Sequence, residues 1–263
     1  MTSDHGIRFH VRHVTQTGST NDDLAQLLDR AADGAPPPPD LLVIRTDHQT
    51  AGRGRLDRRW DAPPGANLLF SILFLHPPAR PHVVTQAVSL AAVRAVDRVA
   101  GWNPDTSQAS LKWPNDVLLG GVKLAGLLAQ RHGSGVVIAG MGLNVGWAPE
   151  GAAKLHDVES GDASVIEPAQ LLEVLLDELW QLSEGGRFDA SGVDAAVMAA
   201  ARPRTSTVGS AVRVDLPGGR RIEGSAVAID DDGRLVVEHS TDDGGTQVTA
   251  FDVGDIVHLR RPG

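Results

Sequence analysis

Four arginines and two glycines fall together in one short stretch of the sequence. The stretch runs Gln49-Thr50-Ala51-Gly52-Arg53-Gly54-Arg55-Leu56-Asp57-Arg58-Arg59-Trp60 and follows an apolar run that predicts a buried strand. Glycine lets backbone amides approach an anion closely, and a guanidinium group can bind a phosphate or carboxylate with two parallel hydrogen bonds. The spacing therefore favours an anion-binding loop supported by a sheet; the alternative is a solvated basic loop.

Lysine is rare in this chain, and two of its lysines lie close together in sequence. The 24 basic residues are arginines except for Lys112, Lys123 and Lys154. A compact ammonium group makes contacts that a planar guanidinium cannot make, so the first two lysines are candidate catalytic or binding residues. The alternative is that the chain has a compositional bias toward arginine and that the positions of its three lysines carry no functional meaning.

Lys123 lies in the apolar run 122–128, which predicts a strand. A buried ammonium must be paired or functional, whereas a lysine on an edge strand can extend to water. Strict alternation along the strand predicts that Lys123 shares a face with Ala125 and Leu127.

Three polar motifs accompany these residues. They are Ser19-Thr20-Asn21, Lys112-Trp113-Pro114-Asn115-Asp116 and Gly140-Met141-Gly142-Leu143-Asn144. In the last of them, glycines close a strand and present an asparagine amide, which can read a purine edge or stabilise a turn. The arginine-rich loop matches neither the G-x-x-x-x-G-K-[ST] phosphate loop nor the G-x-G-x-x-G dinucleotide motif, so a generic nucleotide fold is not predicted.

The elements that must position these motifs follow from the hydrophobic periodicity. Helices are predicted from about residue 22 to 32, over 84–99, from Pro168 to about 179, and over 193–201. Strands are predicted over 41–44, 67–75, 117–119, 122–128 and 136–141. The dipeptide Gly120-Gly121 predicts a tight hairpin turn between two of these strands.

The order of elements predicts an α+β fold with two domains. Strands and helices interleave without a regular βαβ period, which favours a mixed β-sheet flanked by helices over residues 1–203. Five short, tightly turned strands then predict a small C-terminal β-barrel of SH3 type over residues 208–263. The small unit alone would have a thin core, so we expect it to pack on the larger one.

Composition excludes several classes of function. Of the 263 residues, 41% are hydrophobic and 22% charged, which is typical of globular proteins. No apolar run approaches the ~20 residues of a membrane span, and no signal-peptide pattern is present, so no membrane partner is expected. A formal charge of −9 argues against a nucleic-acid binder. The absence of cysteine excludes disulfide and thiolate chemistry, and a cytoplasmic location is expected.

Taken together and in this order, the motifs strongly resemble those of the biotin protein ligases. The resemblance covers about residues 15–145, and the predicted C-terminal barrel is similar to the last domain of that family. No winged helix-turn-helix precedes Thr15, so the similarity is to the ligase-only form without a DNA-binding domain. One position departs from the family pattern: Asp57 stands where the loop has a third glycine, which concerns the second half of the loop and Arg58.

The resemblance implies a two-step reaction of biotin and MgATP. Biotin's carboxylate attacks the α-phosphate, giving biotinyl-5′-adenylate and pyrophosphate. A lysine amine on a biotin carboxyl carrier domain then attacks the acyl carbon and releases AMP. Because the first step joins two anions, which repel by roughly 4 kcal/mol at ~4 Å and an effective dielectric near 20, cations at the meeting point are expected to dominate catalysis.

The resemblance also implies a role for each motif residue. The expected catalytic residues are Lys123, Arg53 and Arg55. The expected biotin-binding residues are Ser19, Thr20, Asn21, Gln49, Arg53, Gly54, Arg55 and Lys123. The expected nucleotide-binding residues are Gly52, Arg58, Trp60, Lys112, Asn115, Asp116 and Asn144. The sequence does not identify ligands for Mg²⁺, and for Trp60 it leaves open stacking on adenine and a hydrophobic anchor.

Two other functions are compatible with parts of the pattern. A lipoate protein ligase runs the same adenylate chemistry in a related scaffold, but the arginine-rich loop and the Lys-Trp-Pro-Asn-Asp string favour biotin. A non-catalytic biotin-binding or biotin-sensing protein would be expected to lack Arg53, Arg55 or Lys123, and all three are present.

Overall fold

A mixed seven-stranded sheet forms the centre of the N-terminal part of the chain. The structure, a computed structural model, describes residues 9–55, 59–80, 82–133, 135–183, 185–216, 219–241 and 244–252, and the backbone of 255–258. The strands of this sheet are β1 (His10–Thr17), β2 (Leu42–Gln49), β3 (Leu68–Phe74), β4 (Ala109–Lys112), β5 (Asp116–Leu119), β6 (Val122–His132) and β7 (Val136–Leu143). Their spatial order is β1-β2-β3-β7-β6-β5-β4. β1 runs parallel to β2, and the other neighbours are antiparallel.

Helices cover both faces of the sheet. They are α1 (Thr20–Ala32), α2 (His82–Ala100), α3 (Pro168–Gln181) and α4 (Val193–Ala201). α2 packs on one face against β4, β5, β6 and β7, and α3 and α4 pack against α2. α2 is buried on nearly every side because it lies between the sheet and this outer helical layer. Among the described residues, no helix is both long enough and apolar enough to cross a membrane.

α1 covers only part of the opposite face. Its Leu24 packs in a small cluster with Ile44, Leu73 and Ile138. Ser19 is the N-cap, with its hydroxyl oxygen accepting a hydrogen bond from the backbone N–H of Asp22 at 3.5 Å. Because α1 starts part-way across the sheet, the strands beyond its N-terminus leave an open face on that side.

The strand alternation makes this open face continuous with the surface under α1. Along β7, Ile138 packs under the helix, and the two-residue period turns Gly140 and Gly142 to the same side. β3 pairs with β7 so that Ser71 lies opposite Gly140. The part of the sheet next to the α1 N-terminus is therefore lined by small residues.

The C-terminal part forms a second, five-stranded antiparallel sheet. Its strands are β8 (Ala211–Asp215), β9 (Arg221–Ile229), β10 (Leu235–Ser240), β11 (Thr246–Phe251) and β12 (Asp255–His258), in the order β11-β10-β9-β8-β12. Five strands were predicted, and the described residues of this part form five. The expected barrel is not closed in the part of the chain that the structure describes, because β11 and β12 remain at opposite edges of an open sheet.

Most of the predicted elements are confirmed. The three later helices and β3 agree with the sequence prediction to within about two residues, and Gly120 and Gly121 both adopt positive φ, 57° and 81°, in the β5–β6 turn. β1 was missed because most of its residues are exposed at the edge of the sheet and show no apolar alternation. The short β4 was also not predicted as a strand.

Candidate active site

The open face next to α1 is the floor of a cavity of about 430 Å³. Its walls are the N-terminus of α1, the loop that follows β2, and the β4–β5 connection. The cationic residues lining it are Arg53, Arg55, Arg59, Lys112 and Lys123, and the lining carboxylates are Asp116 and Asp215. The cavity is therefore cationic in a chain whose formal charge is −9, which suits an anionic ligand.

Three glycines make room for the cavity. A Cβ atom at Gly140 would collide with Asn21 Oδ1, and one at Gly142 would lie 2.7 Å from Cζ2 of Trp60. A Cβ atom at Gly126 would lie 3.1 Å from Lys123 Nζ. Gly126 and Gly142 are directly paired between β6 and β7, so the Trp60 ring lies on a floor without side chains.

Lys123 extends into this cavity from β6. Its Nζ is 2.7 Å from Asp116 Oδ1 on β5, with the lysine side chain 40% exposed and the aspartate side chain 20% exposed. The ammonium group also lies 6.0 Å from the centre of the Trp60 ring, at the limit of a cation–π contact. The ion pair and the ring hold the ammonium group over Gly126.

The predicted face of Lys123 was wrong. The pairing of β5 with β6 shifts between Val117 and Leu118, so that Ala125 and Lys123 oppose consecutive residues and Leu124 is the extra residue of a bulge. A bulge of this kind resets the alternation of side chains. Ala125 and Leu127 therefore lie in the core, while Lys123 shares the cavity face with Gly126.

A backbone hydrogen bond joins the two ends of the arginine-rich loop, and side-chain contacts hold its first half. The backbone N–H of Trp60 donates to Gly52 O at 2.9 Å, and a Cβ at Gly52 would lie 2.5 Å from the Trp60 carbonyl oxygen. Arg53 forms an ion pair with Asp22 in the first turn of α1. Arg55 Nη1 donates to Asn115 Oδ1 at 3.1 Å.

These contacts bring the first half of the loop and the β4–β5 connection to one cavity. Asn115 is in turn held by its own donation to Leu127 O at 2.7 Å. Gly54 also lines the cavity. Arg58 and Asp57 lie outside the described residues.

The inner end of the cavity is uncharged and densely hydrogen-bonded. Gln49 Oε1 accepts from the backbone N–H of Thr20 at 2.8 Å, and Thr20 Oγ1 is 2.6 Å from Ser71 Oγ. Ser71 donates to Asn21 Oδ1 at 2.6 Å, and Asn21 Nδ2 donates to Gln130 Oε1 at 2.8 Å. Ser19, Thr20 and Asn21 are all nearly buried, so this network is withdrawn from bulk water.

Two predicted nucleotide-binding residues do not line the cavity. Asn144 is buried, and its side-chain amide donates to Ala153 O at 2.9 Å and lies 3.3 Å from the Asn67 amide. Its position in the structure is that of a residue stabilising the turn after β7, one of the two alternatives that the sequence left open. Gly52 lies at the start of the loop, where its backbone packs closely against Trp60 and Gln49.

Three residues that sequence reasoning missed belong to the site or support it. Ser71 is fully buried in β3, and the signal was a lone hydroxyl in the otherwise apolar run Leu68-Leu69-Phe70-Ser71-Ile72. Gln130, which holds Asn21, carried no sequence signal. Asp215 lines the cavity from β8 of the C-terminal sheet, and no local pattern links that strand to the cavity.

Asp215 is held in its ionised form by neighbouring arginines. Its carboxylate oxygens accept from Nε and Nη2 of Arg213 at 3.0 and 3.1 Å, and Arg221 Nε lies 3.1 Å away. The hydrogen bond from Arg213 is the main reason that the pKa of Asp215 lies below its ordinary value. The C-terminal sheet thus contributes a charged group to the rim of the cavity.

The fold and the site together indicate a protein that binds a small anionic ligand. A cationic cavity over a mixed sheet, with a neutral hydrogen-bonding pocket at its inner end, suits a ligand with a polar uncharged head and an anionic tail. A model of the biotin/lipoate A/B protein ligase family matches residues 15–146, and one of the biotin protein ligase C-terminal domain matches residues 207–259. The chain belongs to the biotin/lipoate A/B protein ligase family.

Individual relatives agree with this assignment over nearly the whole chain. A biotin–[acetyl-CoA-carboxylase] ligase of Mycobacterium tuberculosis is 39% identical over 254 residues, covering 94% of this chain and 88% of the relative. One of Paracoccus denitrificans is 28% identical and covers 85% and 92%. The fold is similar to that of a biotin protein ligase from Aquifex aeolicus in complex with biotin and ATP, with a TM-score of 0.72, 21% identity, and coverage of 96% and 99%.

Proposed function

We propose that this chain is a biotin protein ligase, which attaches biotin to a lysine of a biotin carboxyl carrier domain. It first joins biotin to the α-phosphate of MgATP, forming biotinyl-5′-adenylate and releasing pyrophosphate. The lysine amine of the carrier then attacks the acyl carbon, and AMP leaves. The M. tuberculosis and P. denitrificans relatives carry the name of this activity.

The observation that carries the proposal is the division of one cavity into a neutral end and a cationic end. The neutral end, around Thr20 and Gln49, suits a ureido ring, which has donors and an acceptor but no charge. The cationic end, around Arg53, Arg55 and Lys123, suits a carboxylate meeting a phosphate. A ligand with both features must span the glycine floor between them.

We assign the binding of biotin to the residues around this floor. Ser19, Thr20, Asn21 and Gln49 surround the ring, and Gly54 lines the path from the ring to the cations. Asn21 acts through its neighbours in this assignment, since its amide already bonds to Ser71, Gln130 and the Leu128 carbonyl.

We assign catalysis to Lys123, Arg53 and Arg55. Lys123 is the shared cation between biotin's carboxylate and the α-phosphate, because its ammonium group lies over the glycine floor and lines the same cavity as Arg53 and Arg55. Neutralising repulsion of roughly 4 kcal/mol between two charges ~4 Å apart corresponds to about three powers of ten in rate. Asp116 holds the ammonium group at this place.

We assign the nucleotide to the side of the cavity formed by Lys112, Asn115, Asp116 and Trp60. The charge of Lys112 and the amide of Asn115 lie at the β4–β5 connection, beside Arg55. Mg²⁺ enters as part of the substrate MgATP. Arg58 and Asn144 remain sequence-based assignments, the first outside the described residues and the second packed behind the cavity.

A lipoate ligase is the weaker candidate. The neutral end of the cavity presents hydrogen-bonding side chains at Thr20 and Gln49, and a dithiolane ring has no N–H or carbonyl group to pair with them. These groups are already hydrogen-bonded within the protein, but a dithiolane ring would leave their remaining lone pairs without a donor, whereas a ureido N–H can supply one. We also propose a cytoplasmic location and domain limits of 1–203 and 208–263.

Purified protein tests the proposed function in two assays. Biotin-dependent exchange of radiolabelled pyrophosphate into ATP measures the first step, with lipoate in place of biotin as the control. Incubation with ATP, biotin and a biotin carboxyl carrier domain, followed by intact mass of the acceptor, measures the second step. We expect exchange with biotin alone and a mass increase of one biotinyl group. Folded protein that exchanges with lipoate but not biotin contradicts the proposal.

A further inference from the structure

A chain of hydrogen bonds at the neutral end of the cavity fixes the direction of each proton. It starts at the backbone carbonyl of Leu128, which can only accept and lies 3.3 Å from Asn21 Nδ2. The same Nδ2 lies 2.8 Å from Gln130 Oε1. The amide nitrogen of Asn21 therefore faces these two acceptors, and the amide oxygen faces Ser71.

Ser71 has one hydroxyl proton, which it donates in a hydrogen bond to Asn21. The two oxygens are 2.6 Å apart, and the amide oxygen can only accept, so Ser71 is the donor. Ser71 Oγ is also 2.6 Å from Thr20 Oγ1. Since Ser71 has no second proton, Thr20 must donate in that contact. Ser71 is fully buried and Thr20 is 3% exposed, so competition from bulk water is weak.

The hydroxyl of Thr20 then has only a lone pair to offer the cavity. Gln49 Oε1 accepts from the backbone N–H of Thr20 at 2.8 Å and, having a second lone pair, is also an acceptor for Thr20 Oγ1 at 3.1 Å. That contact is 0.5 Å longer than the 2.6 Å contact with Ser71, so Ser71 is the stronger acceptor for the Thr20 proton. With its proton directed to Ser71, Thr20 Oγ1 can accept a hydrogen bond from a ligand and cannot donate one.

We propose that Ser71 is a positioning residue that makes Thr20 an obligatory acceptor, so that the site selects a ring N–H and rejects an oxygen in its place. Ser71 itself is not among the residues lining the cavity, and it acts through the proton of Thr20. The proposal rests on the proposed function, because the ureido ring of biotin is the ligand that supplies the N–H. It adds a source of specificity that the sequence motifs do not contain.

The test compares biotin with its two cyclic carbamate analogues, in which one or the other ring N–H is replaced by oxygen. Pyrophosphate exchange gives a KM for each compound. We expect the wild-type protein to bind one of the two analogues about ten- to a hundredfold more weakly than biotin, because two lone pairs face each other. In Ser71→Ala the Thr20 hydroxyl keeps only the longer, 3.1 Å contact with Gln49 Oε1, from which it can turn to donate to the ring oxygen of the analogue, so the ratio for that analogue should fall to about threefold.

Ser89→Ala is the matched control. Ser89 is also buried, and its hydroxyl has no hydrogen-bond partner among the described residues, so the same atom is removed without touching the chain of bonds. We expect it to keep the wild-type ratio. Ser71→Cys, which fills nearly the same space with a weak donor, replaces Ser71→Ala if the alanine variant fails to fold, and the same fall in the ratio is expected.

The outcomes separate the two proposals. A folded Ser71 variant that keeps the wild-type ratio overturns the inference while leaving the ligase function intact. A ratio that falls equally in Ser89→Ala also overturns it, since loose packing would then be the cause. Wild-type protein that shows no exchange with biotin overturns the proposed function itself.

Discussion

At the scale of single residues, the position of one ammonium group is the feature on which the proposed chemistry depends. Lys123 is partly exposed and paired with Asp116 at 2.7 Å, and a pair exposed to this extent adds little to stability. Its importance lies in where the charge is held, over Gly126 on the floor of the cavity. The residue is thus expected to matter for rate much more than for folding.

Lys123→Arg should abolish most adenylation although the charge is retained. A planar guanidinium on a longer arm cannot occupy the point that Nζ occupies, 2.7 Å from Asp116 and above Gly126. Misplacing a catalytic group by about 1 Å can cost about a hundredfold in rate, so we expect a fall of that order in kcat/KM for pyrophosphate exchange.

Lys154→Arg provides the control for that substitution. Lys154 lies outside the active-site cavity, where its Nζ is 3.5 Å from Asp157, and the same exchange there should leave the rate within about twofold. Turnover of Lys123→Arg within threefold of wild type, at equal thermal stability, would refute the role assigned to Lys123.

At the scale of elements, paired glycines on β6 and β7 determine where Trp60 lies. Gly126 and Gly142 are direct partners across the two strands, and the Trp60 ring occupies the space that their side chains would fill. The indole Nε1 of Trp60 is buried and has no hydrogen-bond partner among the described residues. The strands thus fix the ring at the side of the cavity while leaving one of its polar atoms for a ligand.

Gly142→Ala should displace this ring and weaken biotin binding. Its Cβ would lie 2.6 Å from Nε1 and 2.7 Å from Cζ2 of Trp60, so the indole must move toward the cavity. One extra methyl group in a binding pocket typically costs about 10- to 200-fold, and we expect a rise in the KM for biotin in that range. Pyrophosphate exchange measures the KM, and the tryptophan emission spectrum reports the movement.

Gly18→Ala is the control, because a Cβ there meets nothing within 4 Å. It should leave both the KM and the emission spectrum close to wild type. An unchanged KM in Gly142→Ala would mean that the position of the Trp60 ring does not limit the space that biotin occupies over the glycine floor.

Local sequence patterns predicted the positions of helices and strands better than they predicted which side of a strand each side chain lies on. The helices and the β5–β6 turn were predictable because their periodicity, proline start and glycine pair are local signals. The bulge at Leu124 depends on pairing with β5 and cannot be deduced from β6 alone. The wrong face predicted for Lys123 follows from that one extra residue, because each later side chain changes sides.

The candidate site could be predicted only where its residues form motifs. Lys123, Arg53 and Gln49 belong to recognisable sequence motifs, and the structure brings them to one cavity. Ser71 contacts Thr20 across 51 positions, and Asp215 comes from the other sheet. Contacts of this kind are set by tertiary packing, so no pattern within one segment contains them.

At the scale of the whole molecule, the C-terminal part of the chain contacts the β4–β5 connection, which forms one wall of the cavity. The backbone N–H of Trp113 donates to Thr207 Oγ1 at 3.0 Å, and its indole Nε1 donates to Gly233 O at 2.8 Å. Asp215 reaches the cavity rim from the C-terminal sheet. Because Trp113 lies between Lys112 and Asn115, we expect the position of these two residues to depend on how the second sheet is docked.

Thr207→Val should loosen this docking without changing the shape of the residue. Both Thr207 and Trp113 are buried, so removing the hydroxyl leaves the Trp113 N–H without its acceptor, at a cost of about 1–3 kcal/mol. Denaturant unfolding should show this loss, and the KM for ATP should rise. Thr205→Val is the control, since that hydroxyl donates back to Ala201 and does not contact Trp113. Equal stability of the two variants would argue against a docking role for Thr207.

The same interface predicts a loss of stability in mild acid. His82 packs against the backbone of Gly233, and its Nε2 is buried without a hydrogen-bond partner among the described residues. Burial, and then the charge of Arg80, lower the pKa of His82 below its ordinary 6.5, with Asp194, Asp232 and Asp230 opposing them.

Because the folded protein holds this proton more weakly than the unfolded chain does, the unfolded state is favoured as the pH falls. The stability that His82 contributes is complete above pH 6.5 and is lost between that value and the lower pKa of the folded state. His82→Phe keeps a ring against Gly233 and cannot titrate. Denaturation midpoints at pH 7.5 and 5.5 should therefore fall more in the wild type than in the variant, with the other titrating groups cancelling in the difference. An equal fall in both proteins would show that the proton on His82 does not affect the docking of the two sheets.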